Sequence, residues 1–269
     1  MSNNIWTKGV SFRKSQPPPS LAQRRFRRTY SNGHYFYGQD PFSKTAVWAI
    51  IGLNTAVFGL WQYAQATRDG KLLRQLQDHA TLSWQNIQQG RYWTLVTAAF
   101  SHQGLGHFFF NMFSFNTFAG MLVAIPGVNV SHIVSLALGS SIASSLAFLY
   151  HDRSRMTQRM SNRWGAQGQH FMSNRSGLGA SGMVLGFAAV ATCLVPFAKI
   201  MILPIPVPLP LWVATVGYAA LDTYMLDSNR SPVGHSAHLG GTVYGVLFYA
   251  AFLRGHGGLW HMIRRSLGR

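Results

Sequence analysis

Two stretches of the sequence decide the fold: GASGMVLG at residues 179–186 and GHSAHLGGTVYG at residues 234–245. Each begins a long apolar run and contains glycines four residues apart. In apolar helices this GxxxG spacing puts both glycines on one face and lets two helix backbones approach closely. The pattern predicts two membrane-spanning helices that pack tightly at these glycines. The pairs are Gly182 with Gly186, and Gly241 with Gly245.

Further apolar stretches surround these two. A helix needs about 20 residues to cross roughly 30 Å of hydrocarbon. Six stretches from Lys44 onward approach that length, although several contain polar residues and many glycines. The predicted fold class is therefore an all-α polytopic membrane protein with a bundle of six transmembrane helices. The predicted spans are residues 45–64, 106–124, 130–150, 179–197, 209–226 and 237–253.

The composition excludes several classes of function. Of 269 residues, 48% are hydrophobic and 11% charged, and the formal net charge is +17. The basic residues form short clusters between long uncharged stretches, so the predicted partner is a lipid bilayer and not a nucleic acid. Glutamate is absent, which excludes HExxH metalloproteases and glutamate-dependent deaminases. The single cysteine, Cys193, excludes a disulfide or a cysteine zinc cluster within the chain.

The chain divides into three parts. Residues 1–43 are rich in arginine and poor in acids, a composition typical of a mitochondrial transit segment, although a cytosolic basic tail has the same composition. The stretch RRFRRTYS at residues 24–31 resembles a mitochondrial processing site. Residues 44–254 form the predicted six-span domain. Residues 255–269 form a basic C-terminal tail.

The connections between the predicted spans differ in length and polarity. Residues 65–105 form a long segment of mixed polarity with aromatic residues suited to a membrane interface. Residues 151–178 carry too many arginines to enter the membrane. Residues 198–208 are apolar and rich in proline, which predicts a tight turn at membrane level.

The parity of six crossings places the unusual polar residues together. The second, fourth and sixth spans all begin on the side that the chain reaches after its first crossing, which we call side B. Polar residues that are costly in lipid lie near those three beginnings. The sequence therefore predicts a single site a few turns below the side-B surface. The residues are His102, His107, Asn111, Ser181, His235 and His238.

Ser181 and His238 are the candidate catalytic pair. Ser181 lies in the first turn of its span, where free backbone N–H groups stabilise negative charge, and the small neighbours Gly179 and Gly182 leave its hydroxyl accessible. His238 lies at the corresponding depth of the sixth span and could take the serine proton. Taken separately, each residue could serve only helix packing. The GxxxG patterns in both spans favour a catalytic pair, because close contact of the two helices would bring Ser181 near His238.

His107 and Asn111 lie four residues apart and share one helix face. Both side chains can donate hydrogen bonds, so with the Ser181 backbone N–H they could form an oxyanion hole. An interhelical hydrogen bond that only holds two helices together is the alternative for this pair.

Other chemistries receive weaker support from the residues. Asp222 could orient an imidazole, but a side chain that reaches to the interface is the simpler interpretation, so the sequence predicts a dyad and no third member. His235 and His238 resemble metal ligands, but no acid cluster lies near them in the sequence, so no metal site is predicted. Paired histidines also leave a haem protein open, and a transporter would need more buried charge.

Together these motifs resemble the rhomboid intramembrane serine proteases. The matching residues occur in the expected order: His102, the HxxxN pair of His107 and Asn111, GASG around Ser181, and AHLGG around His238. The resemblance covers residues 44–254 and implies a Ser181–His238 dyad with His107 and Asn111 in the oxyanion hole. The segment GRYWT at residues 90–94 resembles a variant of the family's Trp-Arg motif, so Arg91 is not assigned that motif's role.

The resemblance also implies partners and a location. The partners are transmembrane protein substrates in a lipid bilayer, and no cofactor is implied. The HSAHLGG motif and the arginine-rich leader are most similar to those of the mitochondrial inner-membrane branch. A Golgi or other secretory-pathway membrane is the alternative location. That branch commonly carries an additional span before the six-helix core, and none is predicted before Thr45. A catalytically inactive protein that binds transmembrane clients is the second functional class.

Overall fold

Helix α1 (Pro41–Ala66) is the first element of the computed structural model, which describes residues 40–161, 175–202, 205–228 and 234–268. The Asp40 side chain caps α1 by accepting a hydrogen bond from the Phe42 N–H, and it also accepts one of 2.7 Å from the Val130 N–H. One carboxylate thereby joins the starts of two helices. Most of the predicted leader lies outside the described residues.

The predicted connection between the first two spans is largely helical. It contains α2 (Gly70–Ala80), α3 (Trp84–Gln88), α4 (Thr94–Thr97) and a 3₁₀ turn at Ala98–Phe100. Buried side-chain hydrogen bonds and apolar contacts join this segment to the helices, as in the bond from the Trp61 indole N–H to the Ser101 hydroxyl. The segment is therefore an ordered part of the domain.

Arg91 lies within this connecting segment. Its guanidinium donates to the Asn86 side chain at 3.0 Å and forms an ion pair with Asp78 at 3.4 Å. Arg91 thus stabilises the segment locally.

The next three helices are α5 (Leu105–Val123), α6 (Val130–Ser161) and α7 (Ser181–Leu194). Helix α6 continues beyond Tyr150, so the prediction that the whole of residues 151–178 is a loop is wrong for its first part. Arginine has a high helix propensity, and a charged sequence excludes insertion in lipid without excluding a helix. Residues 162–174 of the predicted loop lie outside the described residues.

A β-hairpin follows α7. Strands β1 (Lys199–Ile202) and β2 (Ile205–Pro210) pair antiparallel, with Lys199 opposite Pro210. The sequence predicted only a tight turn in this region. Helix α8 (Leu211–Tyr224) begins directly after the hairpin.

The last long helix is α9 (His235–Phe248), which continues through a π-helical turn to Leu253. The predicted basic tail contains a further short helix, α10 (Leu259–Ser266), with arginines in its last turn and partly exposed apolar residues. The Tyr249 hydroxyl holds the start of this segment by donating to the Gly257 carbonyl at 2.7 Å and accepting from the Trp260 N–H at 3.0 Å.

Three helical segments in the described part of the chain are long and apolar enough to cross a membrane. They are Pro41–Ala66, Val130–Gln158 and His235–His256, while Ser181–Leu194 is a shorter apolar helix. Helices cover all six predicted stretches in order. The protein is therefore a helical membrane protein.

Helix α7 lies at the centre of the bundle. Almost all of its residues are buried, and it packs against α5, α6, α8 and α9. Its closest approach is to α9, as the GxxxG patterns predicted, because a Cβ atom on Gly241 would collide with the carbonyl oxygen of Gly182, and one on Gly245 would lie 2.9 Å from Ala189 Cβ. These glycines therefore set the distance between the two helices.

Candidate active site

Ser181 begins helix α7, as the sequence predicted. The chain enters the helix through Gly179, whose φ of +120° is unfavourable for other residues. Two hydrogen bonds hold this entrance: the Gly179 N–H donates to the Ala98 carbonyl at 2.9 Å, and the Ala180 N–H donates to His102 Nε2 at 3.2 Å. The Ser181 N–H is thus among the first-turn groups that have no acceptor within the helix.

The Ser181 hydroxyl lies against the imidazole of His238. Ser181 Oγ and His238 Nε2 are 2.8 Å apart, within hydrogen-bond distance. His238 is only 4% exposed and lies in the first turn of α9, on the neighbouring helix across the glycine contact. The structure therefore brings the two predicted catalytic residues together.

Asp222 lies on the opposite side of the His238 ring, which the sequence analysis did not predict. Its carboxylate is 2% exposed and lies 3.1 and 3.2 Å from His238 Nδ1 through its two oxygens. It also lies 2.6 Å from Nδ1 of His235. The interpretation of Asp222 as a side chain that reaches to the interface is wrong, because the carboxylate turns inward to two imidazole donors and so offsets its desolvation.

Asp222, His235 and His238 also form a cluster of possible metal ligands within the described part of the chain. One ligand atom from each of Asp222, His235 and His238 lies within 4.8 Å of the others. The sequence argument against a metal assumed that no acid approaches the histidines, and that assumption is wrong. Each Nδ1 also faces an Asp222 oxygen within hydrogen-bond distance, and Nε2 of His238 faces the Ser181 hydroxyl.

His107 and Asn111 line the same cavity as Ser181 and His238. The cavity measures about 950 Å³ and also includes side chains of α8 such as Tyr218. The Asn111 side-chain NH₂ group donates one hydrogen bond to the His107 carbonyl at 2.8 Å. An NH₂ group has two N–H donors, so the second one can bind a different acceptor. The His107 ring lies against Gly179, where a Cβ atom would be 3.0 Å from His107 Nε2.

His102 supports this wall of the cavity. Its ring is fully buried and meets the His107 ring edge-on, with centroids 5.0 Å apart. Burial, with a smaller contribution from His107, lowers the pKa of His102 to about 3. His102 is therefore neutral at physiological pH, and its Nε2 accepts the Ala180 N–H.

Side chains from the starts of α5, α7 and α9 thus line one cavity. In a comparison with known families, the Rhomboid domain family matches residues 89–255. The chain belongs to the rhomboid family. The match includes all of the candidate catalytic and oxyanion-hole residues.

Individual relatives of this rhomboid share most of its length. Rhomboid protein 1, mitochondrial, from Saccharomyces cerevisiae is 32% identical over 81% of this chain and 58% of the yeast protein. RHOMBOID-like protein 12, mitochondrial, from Arabidopsis thaliana is 25% identical over 94% of this chain and 72% of the plant protein. Presenilin-associated rhomboid-like protein A, mitochondrial, from Danio rerio is 27% identical over 84% of this chain and 51% of the fish protein.

These relatives identify the branch of the family. All three are named as mitochondrial, so this rhomboid belongs to the mitochondrial branch and is a multi-pass mitochondrial membrane protein, as the sequence motifs predicted. The chain spans a little over half the length of the yeast relative.

Proposed function

We propose that this rhomboid is a serine endopeptidase of the mitochondrial inner membrane that cleaves transmembrane segments of protein substrates. The observation that carries the proposal is the 2.8 Å contact between Ser181 Oγ and His238 Nε2. A hydroxyl directed at an imidazole is the arrangement that activates serine as a nucleophile. The family membership supports a protease-type function in a membrane.

The proposed topology has six crossings, by α1, α5, α6, α7, α8 and α9. Helices α5, α7 and α9 then begin on side B, and the candidate residues lie directly before these helices or within their first two turns. The substrate is therefore cut near the side-B face, and the reacting groups lie inside the protein, away from lipid.

The proposed reaction passes through an acyl-enzyme. Ser181 Oγ forms a bond to a peptide carbonyl carbon while its proton moves to His238 Nε2. The same proton then passes to the leaving amine as the peptide C–N bond breaks. Water, activated by His238 in the same way, hydrolyses the ester and frees Ser181.

The carbonyl oxygen becomes negatively charged during both steps, and three donors are available to it in the proposal. They are the Ser181 backbone N–H, the Asn111 side chain and the His107 ring, which lie on the cavity wall. The positive end of the α7 dipole adds to this stabilisation.

Replacement of Asn111 by alanine tests the oxyanion hole. Loss of one such donor lowers kcat by about 10² to 10³ while leaving substrate affinity nearly unchanged. Asn116→Ala is the matched control, because Asn116 lies on the same helix and is exposed. Equal kcat values for the two variants would contradict the assignment of Asn111.

The substrate must present an unwound segment to the cavity. An intact helix holds its carbonyl groups in hydrogen bonds, so a nucleophile cannot reach them until the helix opens. Glycine and other poor helix formers near the cut lower the cost of opening. We therefore expect cleavage to depend on local helix stability in the substrate.

The experiment that tests the function uses purified protein in liposomes with a single-span model substrate. Wild type should produce two fragments whose masses define one cut within or near the span, and Ser181→Ala should produce none. If wild type binds the substrate without cutting any of several sequences, the protein is instead a client-binding rhomboid without activity.

A further inference from the structure

The carboxylate of Asp222 lies between two imidazole rings inside the bundle. It comes from the last turn of α8, whereas His235 and His238 both come from the first turn of α9. The two rings meet edge-on with centroids 6.2 Å apart. Both Nδ1 atoms lie within hydrogen-bond distance of the same oxygen, at 2.6 Å from His235 and 3.1 Å from His238.

The chemistry of these groups fixes where the protons lie. An ionised carboxylate only accepts hydrogen bonds, so both Nδ1 atoms carry a proton and donate to Asp222. Neutral His238 then has its lone pair on Nε2, the nitrogen that faces the Ser181 hydroxyl. The position of Asp222 therefore selects the tautomer of His238 that can act as a base.

We propose that Asp222 and His235 are positioning residues for the reaction, in a continuous chain Ser181–His238–Asp222–His235. This inference rests on the proposed protease function and adds two members to its dyad. Asp222 orients the His238 ring and stabilises the imidazolium that forms when Nε2 takes the Ser181 proton. The proton stays on His238, and Asp222 remains ionised throughout.

His235 has a distinct part in this chain. A carboxylate that is 2% exposed is costly unless donors replace its water. The short bond from His235 supplies such a donor and holds the carboxylate beside His238, because both histidines extend from one helical turn. Loss of this donor would let Asp222 turn away from the His238 ring.

Asp222→Asn tests the first part of the proposal. An amide N–H directed at His238 Nδ1 favours the tautomer with the proton on Nε2, which cannot accept from serine. In an unrelated serine protease the equivalent change lowers kcat by roughly 10⁴, so we expect a loss of about 10² to 10⁴ with KM nearly unchanged. Asp227→Asn is the matched control, because Asp227 lies beyond α8 and its side chain is 81% exposed.

His235 is tested with two variants that differ in hydrogen bonding. His235→Phe keeps the ring volume and removes the donor, and we expect kcat to fall roughly ten- to a hundredfold, the size of one lost bond to a charged group. His235→Gln restores an N–H donor and should recover most of that loss. A merely structural role of His235 would not distinguish the two variants once both are shown to be folded.

The readouts separate failure of this inference from failure of the proposed function. The experiment measures kcat and KM in liposomes, the rate of fluorophosphonate labelling, and the unfolding temperature of each variant in detergent. If wild type cleaves, Ser181→Ala does not, and Asp222→Asn keeps the wild-type kcat, the dyad stands and the inference is overturned. It is likewise overturned if the Asp222 and His235 variants lose activity only in proportion to lost folded protein.

Discussion

Replacement of His238 by glutamine lowers kcat for substrate cleavage by about 10⁴ to 10⁶, the range found when the histidine of a serine protease is removed. Glutamine fills a similar volume and can still donate a hydrogen bond to Asp222, so the packing of α8 on α9 is retained. It has no basic nitrogen for the Ser181 proton. The reaction therefore loses its general base and its general acid together.

The measurement is the initial rate of cleavage in liposomes, with substrate binding measured in parallel. His261→Gln is the matched control, because His261 is an exposed histidine of α10 outside the cavity. The control should retain the wild-type rate. A His238→Gln protein that binds substrate and cleaves it within tenfold of wild type would exclude His238 as the base.

Addition of one methyl group at Gly241 has the largest expected effect on stability. A Cβ atom there collides with the carbonyl oxygen of Gly182 and lies 3.1 Å from its Cα, and backbone atoms cannot rotate away as a side chain can. Overpacking of this kind costs about 1 to 3 kcal/mol. Because Ser181 and His238 lie beside this contact, Gly241→Ala should also lower the cleavage rate.

Gly217→Ala is the matched control for the added methyl group. Gly217 lies within α8, and a Cβ atom there would meet no atom within 4 Å. Alanine also has the higher helix propensity, so this variant should be as stable as wild type or slightly more so. The two unfolding temperatures are compared in the same detergent. Equal values for Gly241→Ala and wild type would contradict the close packing of α7 on α9.

The glycine pattern and the parity of the apolar stretches predicted most of the arrangement of the site. Both depend on local properties of the sequence, namely helical periodicity and the cost of polar groups in lipid. They correctly brought Ser181, His238, His107 and Asn111 to one cavity.

Asp222 and its contact with two histidines could not be found in the same way. From its position in the sequence, Asp222 is an ordinary acid near the end of an apolar helix, where a side chain usually reaches water. The direction in which the Asp222 side chain points depends on how α8 packs against α9. That packing is tertiary, and the spacing of residues along one helix does not predict it. The signal available in the sequence was an acid inside an apolar stretch, since ionisable residues within spans are commonly functional.

The other corrections concern segments that were predicted as loops or turns from their polarity or their prolines but form helices or strands. Helix α6 extends into an arginine-rich stretch, and residues 70–80 form a helix in a predicted loop. Both stretches are too polar for lipid, and both consist largely of good helix formers. The hairpin at residues 199–210 was missed because its prolines favour a turn, although proline is tolerated in an edge strand.

The most direct measurement of the central claim is site mapping with a fluorophosphonate, which labels only a serine made nucleophilic by its surroundings. The purified protein is reconstituted in liposomes, labelled, digested and analysed by mass spectrometry. The account predicts one labelled residue, Ser181, with labelling abolished in Ser181→Ala and strongly slowed in His238→Gln. Absence of labelling in a folded wild-type protein that also fails to cleave, or labelling that persists in Ser181→Ala, would contradict it.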